Sequence, residues 1–144
     1  MGYSLVDKLY ANVTYTETVE VLGRKMEFKP LDPQAEVEVS RTSGDAANMM
    51  EILQRRRLPT LARGITLIDG VPWSDYDEIK QRLRSNPGMT LAQAVEQELS
   101  DPGRYSDDVV QIMFEAYQGF KLRHRENLEA LKKSSTPLSP VTAG

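Results

Sequence analysis

The chain has 144 residues, 40% of them apolar and 27% charged, with eighteen basic side chains against twenty-one acidic ones for a net charge of -3. These proportions exclude a wholly disordered chain and argue against a protein whose main task is to coat nucleic acid. The absence of cysteine removes disulfides, thiol nucleophiles and cysteine-ligated metal sites together.

A chain of this length is expected to form one domain that buries about two-thirds of the surface its unfolded state exposes. No apolar run approaches the roughly 18 residues of a membrane-spanning helix. Residues 1–13 lack the basic and apolar regions of a secretion signal. The expectation is therefore a soluble protein that stays where it is made or is carried into an assembly, with no membrane contact.

Residues 1–12 carry Tyr3, Leu5, Val6, Leu9 and Tyr10 with no clear cap, either a short helix or an apolar arm that orders on a neighbour. From Val13 the pattern changes to period two. Val13, Tyr15, Val19 and Val21 sit among Thr and Glu, Leu22-Gly23-Arg24-Lys25 interrupts, and Met26 and Phe28 resume the alternation. This predicts a β-hairpin over residues 13–31, with Gly23 free to take a positive φ. Two strands alone are marginal in water, so the hairpin must lie on helices or pair with another chain.

Pro30-Leu31-Asp32-Pro33 stops the second strand and sets Asp32 as an N-cap before a proline at the first helical position. Val37 and Val39 alternate as in a strand, while Gln34-Ala35-Glu36 favour a helix. The helix is preferred here, with a break near Ser43-Gly44. Asp45 then caps a second helix through Arg57, with Ala46, Met49, Met50 and Leu53 on one side, and Pro59 interrupts it. Leu61, Ile65, Leu67 and Ile68 form a helix or strand closing on an Asp69-Gly70 turn, after which Trp73 folds back onto the core.

A short helix over 74–85 has Ser74 as N-cap and Tyr76, Ile79 and Leu83 as its inward stripe, and Asn86-Pro87-Gly88 ends it. Thr90 with Gln93 forms a capping box for a helix carrying Leu91, Val95 and Leu99. Asp101-Pro102-Gly103 is a loop. Residues 106–133 have the strongest periodicity in the chain: Val109, Val110, Met113, Ala116, Tyr117, Phe120, Leu128 and Leu131 share one helical face. Ser106 is its N-cap, with Asp107 and Asp108 at the positive end of the helix dipole and Lys132 and Lys133 at the other. Residues 134–144, rich in Ser, Thr and Pro, read as a tail.

The fold class is thus mainly α (α+β): an N-terminal β-hairpin on a helical part over 32–133, with one long C-terminal amphipathic helix.

Chemistry is sparse. His124, the only histidine, has neither cysteine nor a second histidine with which to bind zinc. Asp69, Asp75, Asp77 and Glu78 gather around Trp73, but a turn aspartate and first-turn helix carboxylates account for all of them, and their spacing is not that of a calcium loop. No phosphate-binding glycine loop and no Ser/His/acid set can be placed. No catalytic residue, cofactor site or metal site is expected. Residues 41–63 hold five basic and two acidic side chains, net +3, whereas residues 74–108 hold eight acidic and four basic, net -4. Opposite patches on one small protein suit head-to-tail association or docking in a larger assembly.

Three stretches, Val-Glu-Val-Leu-Gly-Arg-Lys-Met-Glu-Phe-Lys-Pro-Leu over 19–31, Leu-Ala-Arg-Gly-Ile-Thr-Leu-Ile-Asp-Gly over 61–70 and Val-Gln-Ile-Met-Phe-Glu-Ala-Tyr-Gln-Gly-Phe over 110–120, occur in an order that resembles small tail-assembly or baseplate-hub-assembly proteins of tailed bacteriophages. The extra capped helix over 90–99 departs from that pattern. The resemblance implies a non-enzymatic protein that binds other tail or virion proteins, in the host cytoplasm during assembly or within the virion. The surfaces expected to make contact are Tyr3, Leu9 and Tyr10 in the arm, Val19, Val21 and Phe28 in the hairpin, Arg55, Arg56 and Arg57, Trp73, and Tyr117 and Phe120 on the long helix. Self-association is a further expectation. The alternative is a small nucleic-acid-binding regulator using Arg55–Arg57 and the basic segment 121–125.

Overall fold

The computed structural model describes residues 16–133, together with Leu5. The expected arm at 1–12, with Tyr3, Leu9 and Tyr10, the first part of the hairpin at Val13 and Tyr15, and the tail at 134–144 lie outside the described residues.

The described chain is mainly helical with a small antiparallel sheet. Strand β1 spans Glu17–Val21 and β2 spans Arg24–Phe28, followed by helices α1 at Pro33–Arg41 and α2 at Met49–Gly64. Strand β3 at Ile65–Ile68 leads through a 3-10 turn at Trp73–Asp75 to α3 at Asp77–Ser85, α4 at Leu91–Leu99 and α5 at Asp107–Lys133.

The hairpin is joined by two residues, not four: Val21 pairs directly with Arg24, and Leu22 (φ 55°) and Gly23 (φ 78°) both take left-handed conformations. Two positive φ values in a two-residue loop are the I′ geometry that matches the right-handed twist of the flanking strands. The hairpin is also not alone. β3 adds to β2 with Met26 opposite Ile68 and Glu27 opposite Leu67, giving the order β1-β2-β3. A third strand and a helical layer on one face supply what two strands lack. Residues 61–70 therefore divide at Gly64, helix before and strand after, where the β-branched Ile65 and Thr66 begin.

Asp32 caps α1 by accepting from the Ala35 amide at 2.8 Å, with Pro33 next. The choice of helix for residues 34–39 holds. Thr90 and Gln93 form the capping box expected at α4. Ser106 Oγ accepts from the Val109 amide at 3.3 Å at the start of α5.

Three boundaries differ from the sequence reading. Asn48, not Asp45, caps α2, its Oδ1 accepting from the Glu51 amide at 2.9 Å. Asp45 instead pairs with Arg55. Pro59 does not end the helix, which runs to Gly64. Pro59, Thr60, Leu61, Ala62 and Gly64 are all buried, and that burial outweighs the helical hydrogen bond a proline cannot donate. Ser74 caps nothing: it lies in the 3-10 turn, and α3 begins at Asp77 after Tyr76 in an extended conformation.

One continuous core fills the space between the sheet and the helices. At its centre Phe28, Tyr117 and Phe120 meet, the Phe28 and Tyr117 rings edge to face at 5.5 Å and the Tyr117 and Phe120 rings tilted at the same distance. Val21, Phe28, Tyr117 and Phe120 are therefore core residues and not the contact surface the sequence suggested. An apolar aromatic on an amphipathic face is satisfied first by its own fold. Arg63 fastens the helical layer, its guanidinium meeting Glu38 of α1 at 2.8 Å and Glu96 of α4 at 3.1 Å. Among the described residues no helix is long and apolar enough to cross a membrane.

Candidate functional site

Two I′ turns stand side by side at one end of the sheet. Asp69 (φ 52°) and Gly70 (φ 79°) form the second, closed by reciprocal backbone bonds between Ile68 and Val71 at 2.9 and 3.0 Å. The carboxylate of Asp69 reaches back to the first hairpin, accepting from the Lys25 amide at 3.0 Å and pairing with Arg24 at 3.3 Å. Leu22 and Asp69 both border a cavity of about 470 Å³ that runs from these turns between Trp73, Tyr76 and Tyr105 to Met26, Val109 and Met113.

Trp73 and Tyr76 lean together at 6.5 Å, and the Tyr76 hydroxyl donates to the Ile68 carbonyl at 2.6 Å. The Trp73 indole packs against the core, but its Nε1–H is buried with no acceptor among the described residues.

On the α4 side the cavity meets Glu98, a side chain only 3% exposed. Its carboxylate accepts from Arg82 Nε at 3.0 Å, Arg104 Nη1 at 2.9 Å and the Tyr105 hydroxyl at 2.8 Å. Burial alone would raise its pKa; the hydrogen bonds from Tyr105, Arg82 and Arg104 outweigh burial and hold it below the ordinary glutamate value. Burial and the bond to Glu98 push the Tyr105 phenol up to about 12. Glu98 thus stays charged and Tyr105 stays neutral around pH 7. The pair is a fixed pin between the α3, α4 and α5 ends and holds no proton poised for transfer. Glu78 lines the mouth, and Asp75 and Asp77, flanking Tyr76, are exposed. Among the described residues no group of three or more His, Asp or Glu side chains is arranged to hold a metal ion.

The second feature lies at the start of α2. Met49 is 68% exposed, Met50 73% and Leu53 40%. Asn48 places them in the first turn and a half of the helix, beyond the part of α2 that the core covers. Three large apolar side chains are thus held side by side in water. The sequence set them on one side of a helix but not outside the core.

The remaining candidates are placed less favourably for contact. Arg55 pairs with Asp45 and Glu51, and Arg57 reaches Gln111 at 2.9 Å and Asp107 at 2.6 Å on α5. Arg56 Nε donates to Ser43 Oγ at 2.8 Å. The arginine run is largely bound within the chain. In the segment 121–125, Arg123 pairs with Glu17 of β1 at 2.7 Å, and His124 stacks on Phe120 with ring centroids 6.1 Å apart. Burial lowers the His124 pKa. Val19 and Trp73 are half-buried against the core.

Sequence reasoning missed the role of Glu98, although a carboxylate sharing a helical face with Val95 and Leu99 is the signal that would have raised it. Comparison of the chain with models of protein families, with curated proteins and with solved structures finds no match to any of them.

Proposed function

We propose that this chain is a non-enzymatic contact protein of a bacteriophage tail, a structural or assembly component that works by binding other tail proteins. The observation that carries the contact role is the exposed triad of Met49, Met50 and Leu53, which costs solubility in isolation and gains stability only when covered. The tail assignment rests on the resemblance of residues 19–31, 61–70 and 110–120 to tail-assembly and baseplate-hub-assembly proteins. Those stretches form the hairpin, the junction of α2 with β3 and the core face of α5, so the likeness concerns the scaffold, and the contact surface is read from exposure and charge. The saturated Glu98 and the neutral Tyr105 in the cavity favour packing over proton transfer.

Affinity purification of a tagged chain from cells assembling complete particles, read by mass spectrometry, tests the proposal. Recovery of tail or baseplate components, reduced when Met50→Glu and Leu53→Glu are introduced together, is the expected result. Recovery of none of them, or of nucleic acid whose binding falls steeply with salt, overturns it.

A further inference from the structure

The same molecule carries an apolar projection and an apolar hole. Met49, Met50 and Leu53 stand out from the first turns of α2. The cavity of about 470 Å³ between the two I′ turns and α3, α4 and α5 is of the size that takes several such side chains. We infer that the Met49, Met50 and Leu53 triad of one copy seats in this cavity of a second copy, a head-to-tail contact between identical chains. The inference rests on the reading of the chain as a contact protein and names one of its partners.

Three observations select a second copy as the occupant. Most polar groups of the cavity wall are already engaged, the Trp73 indole N–H excepted: the Tyr76 hydroxyl donates to Ile68, the Tyr105 hydroxyl to Glu98, and Asp69 holds Arg24 and Lys25. A small-molecule site keeps a few converging polar groups to orient its ligand, whereas this wall offers chiefly apolar surface. Both sides are rich in methionine, Met26 and Met113 within and Met49 and Met50 without, and the unbranched thioether adapts to an irregular fit.

The charges also match. The mouth presents Glu78, with Asp75 and Asp77 exposed beside Tyr76. Arg56, one turn on from Leu53, meets no carboxylate among the described residues. Acid around the hole and unneutralised base around the projection steer the pair together and disfavour hole against hole. Because projection and hole are different surfaces, the contact is heterologous, and its repetition gives a ring or an open filament, not a closed two-fold dimer.

The test is the mass of the full chain in solution across a wide concentration range, by light scattering after size exclusion. Wild type is expected to grow in mass with concentration. The projection variant Met50→Glu/Leu53→Glu and the hole variant Leu22→Asn/Glu78→Arg are each expected to weaken association more than about tenfold. All four positions are exposed, and a cooperative circular dichroism melt at or above the wild-type temperature shows that the variants fold. Mixing the two variants leaves one intact projection facing one intact hole, so the mixture is expected to give a 1:1 pair that stops growing.

A wild-type monomer at every concentration overturns the inference. So does a projection variant that associates like wild type, or a mixture that stays monomeric. If wild type is monomeric yet tail components are recovered through the same triad, the self-contact fails while the contact role stands. If the chain associates as expected yet recovers no tail component, the tail assignment fails alone.

Discussion

Gly64 lies under the ring of Tyr117: a Cβ added to Gly64 would stand 2.4 Å from Tyr117 Cε1 and 2.7 Å from Cζ. The ring has no room to yield, because Tyr117 is fully buried and its hydroxyl donates to the Lys29 carbonyl at 2.8 Å. Lys29 in turn donates its amide to the Gly64 carbonyl at 2.8 Å. The end of α2, the end of β2 and the middle of α5 are thereby locked at one point. Gly64→Ala is expected to destabilise the protein by about 2 kcal/mol through overpacking, even though alanine is the better helix former. Urea unfolding measures it, and an unchanged midpoint would mean the ring moves aside.

Glu98 sets an acid limit on stability. Its folded pKa lies below the ordinary value because its hydrogen bonds outweigh burial, so in the unfolded chain it binds a proton at higher pH than in the folded one. Its contribution is complete above the unfolded value of about 4.3 and is lost as the pH falls through the folded value. The melting temperature is expected to fall as the pH drops below about 4.3. Glu98→Gln is expected to cost about 2 kcal/mol at pH 7 by weakening the bonds to Arg82, Arg104 and Tyr105, and to flatten that acid slope. Parallel acid slopes for the two proteins would refute the assignment.

Leu22 occupies a left-handed turn position where asparagine is the favoured residue, and is 49% exposed at the cavity rim. Leu22→Asn is expected to raise stability by up to about 1 kcal/mol by relieving the backbone. If the rim takes part in binding, the same change weakens self-association. A more stable and more weakly associating protein is the expected pair of outcomes, read by thermal melting and light scattering on one sample.

Thr90 accepts from the Gln93 amide at 3.1 Å while the Gln93 side chain accepts from the Thr90 amide at 2.9 Å. Thr90→Ala removes one half of this box and is expected to cost about 1 kcal/mol. Hydrogen exchange should show the loss first at the start of α4. Faster exchange spread evenly over the chain would instead point to a global effect.

The sequence by itself determined the elements whose cause is local. Apolar spacing marked α5, Asp32-Pro33 and Thr90 with Gln93 marked the starts of α1 and α4, and Gly23 and Asp69-Gly70 marked the turns. Each depends on residues within about one helical turn or one loop, where cap, dipole and φ preference act. What only the tertiary structure decided depends on neighbours far along the chain. Burial of residues 59–62 and 64 carried α2 through Pro59, and pairing with β2 made a strand of residues 65–68. Packing also sorted the apolar residues: Phe28, Tyr117 and Phe120 went to the core, while Met49 and Met50 were left outside. Hydrophobicity states that a side chain is better covered, but whether the chain's own fold or another molecule covers it is settled by how the helices pack.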